Sequence, residues 1–135
     1  MTGERNLDAL LEGMKPEMVN GTFVFCTLAP GVSIPATISP MLTFREREGI
    51  TLVMRREEAE AAGLPHAFAS RLITLTVHSA LDAVGFLATI TARLAEAGIS
   101  VNAVSAFHHD HLFVPVDRAD EAMVLLQEMA GTGDQ

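Results

Sequence analysis

The stretch from Leu72 to Met129 constrains this chain most, because it fits one order of elements and excludes most others. Thr74 and Thr76 alternate with Ile73, Leu75 and Val77, which is the two-residue period of a half-buried strand. After the break Ser79-Ala80-Leu81-Asp82-Ala83-Val84-Gly85, a helix is expected from Val84 to Ala97. Phe86, Leu87, Ile90 and Leu94 form its apolar stripe, and Ala83, Ala88 and Ala95 leave room for close approach to a sheet. Gly98 stops that helix, and Ile99–Ser105 reads as a second strand. A tight polar turn at His108-His109-Asp110-His111 leads into a third strand, Leu112–Val116. The last helix starts near Arg118 and places Ala122, Met123, Leu126 and Met129 on one face. The order is strand, helix, strand, strand, helix.

The first half repeats that order more loosely. Leu7, Leu10, Leu11 and Met14 mark a short amphipathic helix over residues 5–14, ended by Lys15-Pro16. Thr22–Leu28 is rich in Phe and Val and reads as a strand. Pro30, Gly31, Pro35 and Pro40 defeat both helix and ladder over residues 29–40. Strands at Met41–Arg47 and Thr51–Arg55 turn around Glu48-Gly49, and Glu57–Ala62 is a short helix closed by Gly63 with Pro65 behind it. Each half therefore reads strand, connection, strand, turn, strand, helix, with a Pro-rich loop replacing the first helix in the N-terminal half. The expected class is α+β: two ferredoxin-like βαββαβ units with antiparallel sheets, one over residues 1–65 and one over 66–135.

Six strands do not complete two four-stranded units. The second half lacks a strand after Met129, since Gly131–Gln135 reads as a frayed tail. An open edge is a liability, so a strand from the first half (Thr22–Leu28) or from another subunit should fill it. Interlocked halves or a homodimer are the expectation, and a fragment 66–135 that is monomeric and stable alone would count against interlocking.

Composition removes several partner classes. The chain has 135 residues, 49% of them hydrophobic, enough for a folded core. Its formal net charge is −8 and it carries no Lys/Arg cluster, which argues against nucleic acid and anionic membranes. Arg55-Arg56 is followed at once by Glu57, Glu58 and Glu60, a solvated helix start. Cys26 is the single cysteine, which excludes an intramolecular disulfide and suits a reducing compartment. The first residues lack the apolar core of a signal peptide, and no apolar run approaches the ~18 residues of a membrane span. A cytoplasmic location is expected.

Few residues carry chemistry. Asp82 is placed to cap the helix, and Gly85 lets a ligand or strand approach the backbone. Free amides at a helix start attract a carboxylate while Asp82 would attract an ammonium, which together suit a zwitterion such as an amino acid. His109 and His111 fall on one side of an extended chain, with Asp110 or His78 as a further metal ligand. That set falls short of the four ligands of a structural zinc site, so a polar hairpin is expected, with Asp110 in the turn and no metal. No Gly-rich phosphate loop, activated nucleophile or paired carboxylates are present, so neither catalysis nor a cofactor is expected.

The runs His78-Ser79-Ala80-Leu81-Asp82-Ala83-Val84-Gly85-Phe86-Leu87 and Leu94-Ala95-Glu96-Ala97-Gly98-Ile99-Ser100-Val101-Asn102 together resemble an ACT domain. Val84-Gly85-Phe86-Leu87 is most similar to the regulatory region of aspartate kinases. Phe107–Pro115 and Arg47–Val53 look like small standalone tandem-ACT proteins of unassigned function, and the specific match spans residues 41–129. The resemblance implies amino-acid sensing at an interface between paired sheets, by a regulatory module without catalytic activity. Leu81, Asp82, Ala83, Val84, Gly85 and Phe86 would hold the ligand through backbone groups, and Val101 and Asn102 would contact it from the second strand. The competing expectation is a pure interaction module that binds only another ACT unit. A polar cavity bordered by Asp82–Gly85 would favour the sensor, and a loop sealed by side chains would favour the interaction module.

Overall fold

In the computed structural model, which describes residues 3–131, the chain forms α1 (Leu7–Gly13), β1 (Pro16–Leu28), β2 (Leu42–Glu46), β3 (Gly49–Arg55), α2 (Arg56–Ala61), β4 (Ala67–Leu75), α3 (Phe86–Glu96), β5 (Asn102–Ser105), β6 (Asp110–Pro115) and α4 (Ala119–Met129). A single 3-10 turn, Val116–Arg118, precedes α4. Of the tail expected to fray, Thr132–Gln135 lies outside the described residues. Packing gathers the described residues into two units, 3–20 with 71–131 and 21–70. The units follow the strands rather than the linear halves, and β1 and β4 each run from one unit into the other.

In the first unit the strand order is β1-β4-β6-β5, with α1, α3 and α4 packed on the sheet. The stripes expected of α3 and α4 supply Phe86, Ile90, Leu94, Ala122 and Leu126 to one core, where Ile73, Leu75, Leu112 and Val114 meet them from the strands. Leu10 and Met14 complete that core from α1, whose first turn is capped by the Asn6 side chain accepting from Ala9 N at 3.0 Å. Thr76 N donates to the Lys15 carbonyl at 3.0 Å, which fixes the end of β4 against the start of β1. The open edge is thus filled by the chain's own first half. The strand begins at Pro16 rather than Thr22, because pairing with β4 extends it through Glu17 and Asn20, residues that no local pattern marks as a strand.

In the second unit β3 pairs antiparallel with β1 (Val24↔Met54, Cys26↔Leu52) and with β2 (Thr43↔Leu52, Arg45↔Ile50). Val24, Cys26, Leu28, Ile38, Leu52, Met54 and Ala59 form its core. A glycine is required at Gly49, where φ is 146° and a Cβ would overlap the Leu28 carbonyl. The Pro-rich segment makes turns instead of a helix, with Ile38 N donating to Pro35 O at 3.1 Å, and it folds Ile38 inward.

One turn falls earlier than expected. Ala106 N donates to His109 O at 3.0 Å, so the hairpin reverses at Phe107-His108, and Asp110 and His111 already belong to β6. The register Ser105↔Asp110 lets the two side chains hydrogen-bond, which holds Asp110 in the strand.

Candidate functional site

β4 runs into the loop 76–85, and an N-terminal arm is laid along that loop. Glu4 N donates to His78 O and Ala80 N donates to Glu4 O, both at 2.9 Å, forming a parallel bridge beside Ser79. Gly3 permits the contact: a Cβ there would lie 2.7 Å from Ala80 N and from the Ser79 carbonyl carbon. The arm carries Arg5 to Asp82, where Nε and Nη2 donate to the two carboxylate oxygens at 2.9 and 3.1 Å. This pairing holds the Asp82 carboxyl below the usual carboxylate range and raises the Arg5 guanidinium. Asp82 therefore does not cap α3. Gly85 occupies the cap position, in the left-handed conformation at φ 92°, with no side-chain cap bond. Asp82 stands three residues too early, and its carboxylate is engaged by a residue far away in sequence. No sequence signal marks the arm, because Gly3-Glu4-Arg5 shows no periodicity.

Two hollows flank the loop. One, of about 190 Å³, is lined by Gly3, Arg5, His78, Ser79, Ala80, Leu81, Asp82 and Phe107. The other, of about 50 Å³, lies between Ser79–Leu81, Ala83, Phe86, Leu87 and the strand residues Ser105, Ala106 and Asp110. Of the expected ligand residues, Leu81 and Asp82 line the larger hollow, and Leu81, Ala83 and Phe86 the smaller. Val84, Gly85, Val101 and Asn102 line neither. Val84 projects into solvent, Val101 packs against the core, and Asn102 is exposed at the start of β5. Gly85 has open space around it, with only Leu7 Cδ2 near a Cβ at 3.9 Å, so backbone conformation and not crowding calls for glycine there.

Asp110 is the side chain whose importance the sequence hid. It is buried at the first position of β6 and accepts from the hydroxyls of Ser79 (3.1 Å) and Ser105 (2.5 Å), joining the loop to the β5–β6 hairpin. The histidines do not converge. His111 Nδ1 lies 3.0 Å from Thr74 Oγ1, and burial, reinforced by the charge of His109, lowers its pKa. The ring centroids of His78 and His108 are 5.5 Å apart and those of His109 and His111 6.4 Å. Among the described residues no group of three or more His, Cys, Asp or Glu is placed to hold a metal ion.

The fold and both halves of the sequence have relatives. ACT domain models match residues 2–71 and 68–128. A crystal structure from Vibrio cholerae, of a protein of unknown function described as a possible transport protein, is 45% identical, covers 92% of this chain and 95% of its own, and superposes with a TM-score of 0.83. An Agrobacterium tumefaciens protein is 20% identical over 87% of this chain and 89% of its own, with a TM-score of 0.74. The regulatory subunit of aspartate kinase from Thermus flavus shares the fold at 8% identity, covering 96% of this chain and 99% of its own, with a TM-score of 0.58. No curated protein matches the chain. No helix among the described residues is long and apolar enough to cross a membrane. With both halves matched by its domain models, the chain belongs to the ACT domain family.

Proposed function

We propose that this protein is a regulatory module that binds a small metabolite, an amino acid foremost, at the loop Ser79–Phe86, and has no catalytic activity of its own. The observation that carries this is the hollow of about 190 Å³ beside Asp82, walled by the Arg5 guanidinium and the Asp82 carboxylate. Those are opposite charges suited to the two ends of a zwitterion. The fold shared with an aspartate kinase regulatory subunit supports a sensing role. Binding would order the loop and shift the population of one assembly state. The halves 1–65 and 66–135 are read as two interlocked ACT-like repeats, which the domain matches over 2–71 and 68–128 support.

The test is a thermal-shift screen of the whole chain against the twenty amino acids. A ligand at 100 times its dissociation constant adds about 2.7 kcal/mol, a rise of roughly 10 °C for a chain of this size. A hit weakened by Asp82→Ala supports the reading, and no shift with any amino acid refutes it.

A second reading has its own observation. Leu81 (67%), Val84 (85%) and Phe107 (62%) are large apolar side chains exposed on or beside the loop. A surface of this kind fits a second copy of the chain, which would make the protein a dimerising interaction module without a ligand. Sedimentation of the wild type and of Val84→Ser decides it: a dimer that the substitution dissociates supports this reading, and a monomer refutes it.

A further inference from the structure

We infer that Asp110, with the hydroxyls of Ser79 and Ser105, forms an ammonium-recognition subsite, so that the ligand is a small zwitterion with a free primary amine. This rests on the amino-acid reading above and deepens it by assigning the ammonium to Asp110 rather than to Asp82. A buried carboxylate is costly unless it is paired. Among the described residues Asp110 is buried, receives two hydroxyl hydrogens and belongs to none of the ion pairs. A carboxylate has about four lone-pair sites, and each serine oxygen keeps acceptor capacity while its proton is donated to Asp110. The cluster thus offers four acceptor oxygens, enough for the three N–H donors of a primary ammonium.

The space agrees. The hollow that these side chains line measures about 50 Å³. A water needs about 10–15 Å³ on this measure, so an ammonium group fits, and an acylated nitrogen lacks the charge that Asp110 would pair. Phe86 and Leu87, in the first turn of the eleven-residue α3, also line the hollow. The positive end of that helix favours the carboxylate of the same molecule. The subsite also ties ligand to fold, because Ser79 belongs to the loop while Ser105 and Asp110 belong to the β5–β6 hairpin.

The experiment titrates the full-length protein, as wild type and as Asp110→Asn, with each amino acid and with its N-acetyl derivative. Methylammonium and tetramethylammonium are added as head-group probes, followed by the carboxyl carbon resonance of Asp110. Expected are binding of the free amino acid at least tenfold tighter than its N-acetyl form, and a loss of at least tenfold in Asp110→Asn. Saturable movement of the Asp110 resonance with methylammonium alone is also expected. An amino acid that binds wild type and Asp110→Asn equally, or as well when N-acetylated, overturns the subsite and leaves amino-acid binding standing. If no amino acid binds the wild type, the proposed function falls and the methylammonium titration judges the subsite: saturation keeps it as an amine site, and its absence overturns it. The comparisons on the wild type need no variant, so they decide the matter even where Asp110→Asn folds poorly.

Discussion

Two glycines ten residues apart should respond to alanine with opposite signs. At Gly3 the added methyl would stand 2.7 Å from Ala80 N and the Ser79 carbonyl carbon and 2.8 Å from His78 O. All three are backbone atoms of a loop already hydrogen-bonded, so no side chain can swing aside. The arm must lift, and with it go the bonds from Glu4 N to His78 O and from Ala80 N to Glu4 O. At about 0.5–1.5 kcal/mol net for each bond, Gly3→Ala should cost about 1–3 kcal/mol. The loss is capped there, since the arm can peel away while α1 stays in its core. At Gly13, the last residue of α1, a methyl meets only Val77 Cγ2 at an ordinary 3.6 Å. There alanine narrows the unfolded ensemble and should stabilise by up to about 1 kcal/mol. Thermal melts give the signs, with Tm lower by roughly 4–10 °C for Gly3→Ala and higher by up to about 4 °C for Gly13→Ala. Amide exchange gives the location: the Ala80 amide should exchange about 5- to 150-fold faster in Gly3→Ala, while amides of β6 change only with global stability. A Gly3→Ala protein with wild-type Tm and a still protected Ala80 amide would refute the docked arm.

Ile90→Ala should destabilise by about 2–5 kcal/mol in urea melts, because Ile90 is fully buried among strand and helix side chains of one core; a smaller loss would mean that core is loosely packed. Burial lowers the pKa of His111 in the native state, so the unfolded chain takes up this proton first, near the ordinary 6.5. This contribution is complete above that pH and declines as pH falls toward the native value. His111→Gln should therefore flatten the drop in stability between about pH 7.5 and 5.5, and an unchanged slope would assign it elsewhere. Burial pushes the Cys26 thiol upward, so iodoacetamide should label it slowly in the native protein and rapidly in urea; equal rates would place the thiol at the surface.

What the sequence discloses and what it conceals separate by range. The α3 stripe of Phe86, Ile90 and Leu94 reaches the core as expected, because helical spacing is written within four residues. The hairpin around Glu48-Gly49 is equally plain from its glycine, although part of what demands that glycine is the Leu28 carbonyl, 21 positions away. The early start of β1 at Pro16 is not, because its polar residues become a strand only through the partner β4. The site divides in the same way. The break 79–85 is legible in its composition, but the roles of its residues are set at a distance. Local pattern makes Asp82 a cap, and Arg5, 77 positions away, claims it instead. Local pattern puts Asp110 in a turn, and Ser79, 31 positions away, helps hold it in a strand. Neither Ser79 nor Gly3 carries a local signal of what it meets.

The passage of β1 and β4 through both packing units also fixes a timetable for synthesis. Residues 21–70 hold every partner of their own core, so that unit can close as soon as β4 leaves the ribosome. α1 is made before it, yet Leu10 must wait for the core residues of α3, Ile90 and Leu94, about eighty residues later. At about 5–20 residues per second the delay is on the order of ten seconds. Throughout it the stripe of Leu7, Leu10, Leu11 and Met14 has no core to enter, which makes the nascent α1 a natural client for a holding chaperone. The wall of the hollow that carries Arg5 is therefore the first part of the site to be translated and the last to be set in place.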